Sequence, residues 1–418
     1  MSCSVLCLDA GTSSLKGAVI SSEGKLISCG RVYCSSDYAI RLEALKRLVS
    51  SLDGINFISA IAVSGNGPTL IPLNWDNSFE RPILWFEKKN VRYDFMESLY
   101  LPEVLWLKQN YSAIYTRVKT FLTSDGFFNY VLTGKAYSPV FSERFLPFFW
   151  TDCQLDDLTL DRSKFPDAVM AGDAVGVVTA ETASWFGIKT GIPVFAGGSD
   201  FLMAILGSGV LKPGMICDRA GTSEGINYCC AERREFPGRR TMPHVSEKYW
   251  NISGLIPDSG SLFAWIRELS ADSQLNLNNY LLTAYKKMMA GYDFDLLPVR
   301  GKGSELRILR DDIIRYAGSH SMEDVVGAAA YTLANAVSCI IRDFERNDLP
   351  VAEVRVSGGQ AADTTWNMIK SLITGKKITV PEIADGELMG CACAAFRGLG
   401  LYDSVCAAAA DLVRIRPF

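Results

Sequence analysis

The chain has 418 residues, of which 48% are hydrophobic and 21% charged, and its formal net charge is −4. This length allows two or three domains, and the apolar content is ample for large cores. The sequence has no basic stripe interleaved with aromatic residues, which argues against a nucleic-acid partner. Residues 1–11 lack a basic segment and reach a charged residue too early for a signal peptide, so we expect a cytoplasmic protein.

The apolar runs and the cysteines argue against a membrane span and a zinc site. The longest uncharged run, 325–341, is interrupted by polar residues and is shorter than a spanning helix, so we expect a buried core helix. The 12 cysteines include no C-x-x-C pair, and only His244 and His320 could assist them. Two histidines without informative neighbours also give no support for a Ser/His or Cys/His hydrolase. We therefore expect reduced thiols and no membrane partner.

The N-terminal stretch predicts a hairpin with a tip of Gly, Thr and Ser. We predict strands at 4–8, 17–20 and 26–32. Backbone N–H groups and hydroxyls at such a tip can bind an oxyanion. Asp9, at the end of the first strand, could hold hydrated Mg²⁺, and Lys16 could add positive charge. A hairpin turn stabilised by its own hydroxyls explains these residues equally well.

The next predicted elements are a helix at 41–52, a strand at 57–63 that ends in a tight turn at 64–68, a strand at 83–86, and a helix at 115–130. Charged residues come directly after Trp85, at Glu87 and Lys89. An aromatic ring beside charged groups suits a polyol, since the ring covers C–H groups while the charges bond hydroxyls. On these residues alone, a solvated charge cluster after a half-buried tryptophan is the simpler interpretation.

Residues 191–225 form the most informative stretch. A short apolar strand at 192–196 ends in Gly197-Gly198-Ser199-Asp200, and an apolar helical run follows. Two glycines at a strand end allow a sharp turn and a close approach to the backbone. Asp200 then lies at a helix start, where its charge meets the positive end of the helix dipole. Taken alone, a capping aspartate on an ordinary strand-turn-helix is the simpler interpretation.

Two further patterns indicate internal duplication. The sequence Ala-Gly-Thr-Ser occurs at 10–13 and again at 220–223, each time after a short apolar segment, near the start of each half of the chain. A strand at 354–357 ends in a second Gly-Gly turn, which opens a helix at 364–372. We therefore predict two domains, at 1–210 and 211–418, with 212–214 (Lys-Pro-Gly) as a hinge.

Together, in this order, these signals resemble the FGGY family of carbohydrate kinases, and the xylulokinases most. The resemblance implies an α/β fold of two duplicated actin-like or hexokinase-type (ribonuclease H-like) domains around a central cleft. It also implies an ATP-dependent kinase that phosphorylates a small sugar or polyol, favouring a ketopentose such as xylulose, with ATP and Mg²⁺ bound. A catalytically weak regulatory protein on the same fold is the alternative. The oligomeric state is left open, with a homodimer as the assembly considered.

The resemblance assigns roles to individual residues of this sequence. Asp200 falls on the catalytic base and Asp9 on the aspartate of the metal–nucleotide complex. The residues implied to bind the nucleotide are Gly11, Thr12, Ser13, Lys16, Gly221, Thr222, Ser223, Gly358, Gly359, Ala361 and Asn367. The residues implied to bind the sugar are Asn66, Trp85, Glu87, Lys89, Asp200 and Phe201.

Three departures from the family pattern concern the sugar. Residues 66–69 read Asn-Gly-Pro-Thr where the xylulokinase-like pattern has Gln-Met-His-Gly. The family's Trp-x-Asp-x-Arg is replaced at 85–89 by Trp-Phe-Glu-Lys-Lys, which keeps the charge signs but changes reach and hydrogen-bond geometry. Phe201 stands where a polar residue usually follows the catalytic aspartate. We therefore expect intact nucleotide residues and an altered sugar pocket. An actin-like or chaperone-type ATPase, which would turn over ATP without sugar, is a third interpretation.

Overall fold

The computed structural model describes residues 3–85, 87, 97–236, 238–269, 276–301 and 305–416. Its contacts divide the chain into two compact units. The first unit comprises residues 1–207 and 387–413, and the second comprises 208–386 and 414–418. The domain boundary that we predict between residues 210 and 211 stays a prediction. The contacts group the C-terminal segment 387–413 with the first unit.

The described residues before 208 form ten strands and eight α-helices of the first unit. The strands are β1 (Ser4–Ala10), β2 (Ser14–Ser21), β3 (Leu26–Tyr33), β4 (Ala60–Gly65), β5 (Leu70–Asn74), β6 (Val118–Thr123), β7 (Ser138–Val140), β8 (Ala168–Met170), β9 (Ala174–Val177) and β10 (Pro193–Ser199). The helices are α1 (Tyr38–Ser50), α2 (Leu101–Asn110), α3 (Ser112–Arg117), α4 (Ser124–Thr133), α5 (Leu146–Phe149), α6 (Asp152–Asp157), α7 (Ala180–Phe186) and α8 (Asp200–Gly207).

The second unit continues the numbering. Its strands are β11 (Met215–Ala220), β12 (Glu224–Cys230), β13 (Arg240–Pro243), β14 (Trp250–Ile256), β15 (Val299–Arg300), β16 (Arg307–Ile308), β17 (Glu353–Ser357), β18 (Ile378–Pro381) and β19 (Ile415–Arg416). Its helices are α9 (Gly260–Leu269), α10 (Leu277–Met289), α11 (Arg310–Ala317), α12 (Met322–Arg346) and α13 (Thr364–Thr374). Two more helices, α14 (Gly386–Gly398) and α15 (Val405–Leu412), lie in the segment that returns to the first unit.

The main sheets of the two units repeat one topology. The first has the order β3-β2-β1-β4-β10-β9, and the second contains the order β14-β12-β11-β17-β18-β19, with β13 added beside β14. In both, the first three strands are antiparallel, the next two run parallel to the central strand, and the sixth is antiparallel. Each repeated Ala-Gly-Thr-Ser sequence therefore turns the corner of the same hairpin. This agrees with the predicted duplication.

Small residues set how closely helices approach the sheet and one another in the first unit. A Cβ atom at Gly30 of β3 would lie 2.9 Å from Leu48 Cδ1, so the glycine lets α1 pack directly on the hairpin. A Cβ atom at Gly390 of α14 would lie 2.3 Å from the carbonyl oxygen of Met203 in α8. Helix α14 therefore packs closely on α8, the helix that begins at Asp200.

Several element predictions need correction. The helix predicted at 115–130 is wrong, because residues 118–123 form strand β6, paired with β5, between the two helices α3 and α4. This stretch, Val-Lys-Thr-Phe-Leu-Thr, is rich in β-branched and aromatic residues, which favour a strand. In the predicted strand at 83–86, the described residues contain only an isolated bridge between Ile83 and Leu70.

Helix α12 is the core helix of the second unit. Among the described residues it is the one helix whose length and composition would suit a membrane span, and 78% of its apolar window is buried inside the protein. Val325, Leu333, Val337 and Ile340 have no exposed surface. The expectation of a buried core helix in this region is therefore confirmed.

Candidate active site

The carboxylate of Asp9 lies at the end of β1 and is 2% exposed. The Ser64 hydroxyl, on the neighbouring strand β4, donates to its Oδ1 at 2.7 Å, and Lys16 Nζ lies 3.5 Å from its Oδ2. The register explains both contacts, since Asp9 is paired with Lys16 on β2 and with Ser64 on β4. Burial raises the pKa of Asp9 to about 7 against the lowering by Lys16 and Ser64, and the charges of Glu387 and Asp200 add to the rise.

Lys16 connects this strand end to the C-terminal segment of the chain. Its ammonium group lies 3.4 Å from Glu387 Oε2 in the first turn of α14. Glu387 is 5% exposed, so the three charged groups Asp9, Lys16 and Glu387 meet in a largely buried cluster. The N-terminal sequence pattern predicts a role for Lys16, but no local pattern indicates Glu387, because 371 residues separate the two along the chain.

The tip of the first hairpin, formed by Gly11, Thr12 and Ser13, is held by a buried arginine. Arg41 of α1 is 1% exposed, and its guanidinium donates to the carbonyl oxygens of Gly11 and Thr12. These hydrogen bonds from Arg41 hold the backbone of the tip in place. A Cβ atom at Gly11 would lie 3.2 Å from the Ser14 carbonyl oxygen, which is a tight contact, and 3.5 Å from Asp9 Oδ2, which is an ordinary van der Waals contact.

One of the predicted sugar residues, Trp85, contacts this tip. The Trp85 side chain is 41% exposed, and its indole Nε1–H donates to Thr12 Oγ1 at 3.1 Å. Glu87 forms an ion pair with Arg81. Lys89 lies outside the described residues. The structure therefore connects Trp85 to the first hairpin, while the sugar contacts of Glu87 and Lys89 stay predictions.

Asp200 and Phe201 begin helix α8 directly after strand β10. The strand end predicted at residue 196 and the Gly-Gly turn after it are wrong, because β10 continues through Gly197 and Gly198 to Ser199. The glycines instead allow a close approach to β4, since a Cβ atom at Gly197 would lie 2.1 Å from the Val63 carbonyl oxygen. The N–H of Phe201 donates to Asp200 Oδ1 at 2.7 Å. Both residues are partly exposed, and the charge of Asp200 acts on Asp9, Asp125 and Tyr100, raising the pKa of each. Asp200 is therefore a carboxylate at the start of a helix, and its charge raises the pKa of Asp9.

The turn after β4 places Asn66 inside the first unit. Asn66 is 4% exposed, its amide oxygen accepts from Ser124 Oγ at 2.9 Å, and its Nδ2 lies 3.4 Å from Thr69 Oγ1. The Ser124 hydroxyl is in turn 2.8 Å from the Tyr38 hydroxyl. Both ends of the Asn66 amide are thus engaged by the protein, and Asn66 joins the strand end to α4. Its sugar contact stays a prediction.

In the second unit, the hairpin tip of Gly221, Thr222 and Ser223 meets the start of α9. The N–H groups of Ser259 and Ser261 donate to the Thr222 carbonyl oxygen at 3.3 and 3.1 Å. Gln360 Nε2 donates to the Gly221 carbonyl oxygen at 2.6 Å. A Cβ atom at Gly260 would lie 2.3 Å from that oxygen, so this contact requires glycine.

The second Gly-Gly turn packs on the same hairpin. Gly358 has φ of +95°, and a Cβ atom there would lie 2.8 Å from the Ala220 carbonyl oxygen, so both conformation and space require glycine. Residues Gly359–Ala362 form a short 3-10 turn, and Asn367 Nδ2 donates to the Ala361 carbonyl oxygen at 3.0 Å. The predicted nucleotide residues of the second unit, namely Gly221, Thr222, Ser223, Gly358, Gly359, Ala361 and Asn367, therefore belong to one connected region. Asn367 Oδ1 is buried there without a hydrogen-bond partner.

A buried charge network lies behind this region. Lys370 of α13 contacts Asp218 Oδ2 at 2.5 Å and Glu224 Oε1 at 3.0 Å, and none of the three side chains is exposed. Ser259 Oγ donates to Glu224 Oε2 at 2.6 Å and also contacts Gln360. Burial and the neighbouring Glu224 raise the pKa of Asp218 well above its ordinary value. Burial alone would also raise the pKa of Glu224, but Lys370 and Ser259 hold it below its ordinary value.

The chemistry of these groups fits a nucleotide better than a metal held by protein ligands alone. In the described part of the chain, no group of three or more His, Cys, Asp or Glu side chains is arranged to hold a metal ion. Mg²⁺ typically binds one or two carboxylates and completes its shell with water and substrate phosphates. Two features suit a bound nucleotide: glycine is required at Gly260 and Gly358 beside the second hairpin, and Asn367 Oδ1 is buried without a hydrogen-bond partner among the described residues.

Comparison with protein families places the chain among sugar kinases. The model of the FGGY family of carbohydrate kinases, N-terminal domain, matches residues 86–207, and the C-terminal domain model of the same family matches residues 219–399. The first hairpin precedes both matched regions, whereas the tip and the second strand of the second hairpin lie within the C-terminal one. The resemblance seen in the sequence is thus confirmed, and kinases of this family use ATP.

Individual relatives share the fold at low sequence identity. A xylulose kinase of Staphylococcus xylosus is 23% identical over 94% of this chain and 90% of its own length. The structure of a gluconate kinase from Lactobacillus acidophilus superposes with a TM-score of 0.76 at 14% identity, covering 100% of this chain and 93% of that one. The Plasmodium falciparum glycerol kinase with ADP gives 0.75 at 16% identity, covering 100% and 93%. The predicted α/β fold of two duplicated actin-like domains is therefore confirmed.

Proposed function

Because the chain belongs to the FGGY family of carbohydrate kinases and is a sugar kinase, we propose that it transfers the γ-phosphate of ATP to a hydroxyl of a small sugar or polyol. The observation that carries this is Asp200, a carboxylate at a helix start whose charge reaches the buried Asp9 cluster. Asp200 accepts the proton of the acceptor hydroxyl as its oxygen bonds to phosphorus and ADP leaves with the bridging oxygen. Such a base contributes about 10²- to 10⁴-fold to a rate.

The phosphates of ATP are assigned to the two hairpin tips, and adenosine to the second Gly-Gly turn. Phosphoryl transfer depends mainly on positioning and on stabilising charge, which rigid backbone N–H groups supply without reorganisation. Hydrogen bonds from Arg41 hold the backbone of the first tip, and hydrogen bonds from Gln360 and the start of α9 hold the backbone of the second. Lys16 adds positive charge beside the first tip.

Mg²⁺ is assigned to Asp9, with the phosphates and water as its remaining ligands. A bound divalent cation neutralises charge that develops on the phosphoryl group. The neutral form of Asp9 is favoured by burial, and Lys16 and Ser64 oppose that effect, so the carboxylate is poised to ionise beside a cation. The position of Gly11 next to this carboxylate supports the assignment, because a Cβ atom at residue 11 would already be in van der Waals contact with Asp9 Oδ2 at 3.5 Å.

For the acceptor we favour a ketopentose such as xylulose, bound near Trp85, Glu87, Lys89 and Phe201. The support is the kinship with xylulose kinases and the contact of Trp85 with Thr12. The relatives also include gluconate and glycerol kinases, so the choice of sugar rests on experiment. We further assign the enzyme to the cytoplasm, acting without nucleic acid or membrane, and leave a homodimer to be tested by light scattering.

A second candidate is a catalytically weak protein that binds nucleotide and sugar for regulation. It is favoured by two predicted sugar contacts that are engaged within the protein, since Asn66 bonds Ser124 and Glu87 pairs with Arg81. ADP release should be measured with Mg·ATP and D-xylulose, D-ribulose, glycerol, D-gluconate or aldopentoses. Release that depends on one acceptor supports the kinase. Acceptor binding without release supports the regulator, and ATP turnover without acceptor contradicts both.

A further inference from the structure

The first unit holds a second buried carboxylate besides Asp9. Asp125, in the first turn of α4, is 4% exposed. Its Oδ1 accepts from the Gly126 N–H at 3.0 Å, and the Thr123 side chain interacts with the same carboxyl group. Among the described residues, the buried Oδ2 has no hydrogen-bond partner within bonding distance. A buried carboxylate oxygen without a partner is costly, so a native structure that retains one usually supplies the partner in another state.

The backbone brings Asp125 to the end of β4. A Cβ atom at Gly65 would lie 2.4 Å from the Asp125 nitrogen, so only glycine allows α4 to begin this close to the strand. Residue 65 is also paired with Ser199, the residue before Asp200, in the parallel register of β4 and β10. Strand β4 therefore has the start of α4 against its last residue and the start of α8 beside it.

A tyrosine hydroxyl lies at the same place. Tyr100 is 4% exposed, and its ring packs on Phe149 and Trp150 with centroids 4.9 and 5.9 Å away. A Cβ atom at Gly67 would lie 3.2 Å from the Tyr100 hydroxyl and 3.6 Å from Ser199 Cβ. The hydroxyl is thus next to the 66–69 turn and close to the chain that leads into Asp200.

From this geometry we propose that Asp125 and Tyr100 form a subsite that binds one non-reacting hydroxyl of the acceptor, beside Asp200. The inference rests on the proposed function and deepens it. The acceptor hydroxyl donates to Asp125 Oδ2, and the Tyr100 hydroxyl donates to the acceptor oxygen. The ligand class is a compound with at least two hydroxyls, one reacting at Asp200 and one bound here.

The electrostatics support this arrangement. Burial raises the pKa of Asp125 to about 7 against the lowering by Thr123 and the Gly126 N–H, and the charge of Asp200 adds to the rise. Burial likewise raises the pKa of Tyr100, and the charges of Asp125 and Asp200 contribute. The three groups therefore act on one another, as members of one polar site do. A site built to bond a hydroxyl discriminates strongly against an analogue that lacks it, since its buried groups are then left unpaired.

The test compares Asp125→Asn and Tyr100→Phe with the wild-type protein. Asparagine keeps an oxygen for the Gly126 N–H but loses the second acceptor atom, and phenylalanine keeps the packed ring. Steady-state ADP release is measured with D-xylulose against 1-deoxy-D-xylulose, and with glycerol against propane-1,2-diol and propane-1,3-diol. We expect Asp125→Asn to raise the acceptor KM about 10- to 100-fold, and Tyr100→Phe about 3- to 10-fold, with the KM of ATP changed less than about 2-fold.

The deoxy analogues separate a direct contact from a structural effect. Removing the bound hydroxyl from the acceptor should lower kcat/KM of the wild-type protein about as much as the Asp125→Asn substitution lowers it with the full acceptor. In Asp125→Asn, changing from the full acceptor to this analogue should lower kcat/KM only slightly further. Asp312→Asn is the matched control, because Asp312 is also 4% exposed in the first turn of a helix, in the second unit. It should leave the acceptor KM unchanged.

Two results would overturn the inference. One is an acceptor KM in Asp125→Asn equal to that of wild type. The other is that, for every deoxy analogue, the loss of kcat/KM from the substitution and the loss from the missing hydroxyl multiply, as independent effects do. Failure of the proposed function gives a different pattern, in which wild type releases no acceptor-dependent ADP. In that event the same acceptors are tested by thermal shift. Stabilisation of wild type but not of Asp125→Asn would then support the subsite, and equal shifts or no shift would reject it.

Discussion

Lys370 and Asp218 form an ion pair of 2.5 Å in which neither side chain has any exposed surface. The pair joins α13, which follows the second Gly-Gly turn, to strand β11, which leads into the second hairpin. Through Glu224, Ser259 and Gln360 the same network reaches the Gly221 carbonyl oxygen. The region assigned to the nucleotide is therefore supported by a network of charged side chains that are completely buried.

Removing the lysine should destabilise the protein strongly. Lys370→Met leaves two buried carboxylates without their cation, which typically costs about 3–5 kcal/mol. Urea unfolding followed by tryptophan fluorescence measures the loss. Lys370→Met combined with Asp218→Asn should recover part of it, because one of the unpaired charges is removed. Wild-type stability in the single variant would show that the network contributes little.

Alanine at Gly221 should impair ATP binding without harming the fold. The protein leaves room there, since the nearest atom to an added Cβ would be the Ser223 carbonyl oxygen at 3.7 Å and the φ angle is not left-handed. If phosphate approaches this backbone, the added methyl group raises the KM of ATP by about 10-fold or more, while stability stays within about 0.5 kcal/mol.

Gly260→Ala is the matched comparison for that prediction. Its Cβ atom would meet the Gly221 carbonyl oxygen at 2.3 Å, so it should lower stability as well as ATP affinity, by about 1–3 kcal/mol for the clash. An unchanged KM of ATP in Gly221→Ala would mean that the nucleotide does not touch this tip.

The stability of the protein should depend on Asp125 between pH 5 and pH 8. Its pKa of about 7 in the folded chain exceeds the value near 4 expected when unfolded, so the fold favours the neutral acid. This contribution is complete at low pH and is lost as the pH rises through 7. Asp125→Asn, which stays neutral, should therefore gain about 2–4 kcal/mol relative to wild type from pH 5 to pH 8. Urea midpoints of both proteins across this range test it, and parallel profiles would contradict it.

Local patterns in the sequence were sufficient to find the hairpin tips, the Gly-Gly turn after β17 and the helix start at Asp200, because each combines a strand end with glycine and a polar residue within a few positions. They could not find Glu387, Asp125 or Tyr100. These residues reach the site through strand order and helix packing, over separations that no local pattern records.

The likeness between the two hairpins also has a limit. Asp9 lies two residues before Gly11, whereas Asp218 lies three residues before Gly221. Side chains alternate along a strand, so the two aspartates occupy opposite faces relative to their tips. Asp9 consequently lies with Lys16 at the proposed metal position, while Asp218 lies in the core with Lys370. Sequence similarity alone did not reveal this difference, which the strand register makes plain.

Asp200 is the residue on which the account depends, and replacing it gives the most direct measurement. We expect Asp200→Ala to bind Mg·ATP as wild type does, by calorimetry, but to lose acceptor-dependent ADP release by about 10²-fold or more. Asp37→Ala, which removes a helix-capping aspartate elsewhere in the first unit, serves as the control and should keep activity. Loss confined to the Asp200 variant is the predicted result, and acceptor-dependent turnover at the wild-type rate in that variant would contradict the proposed mechanism.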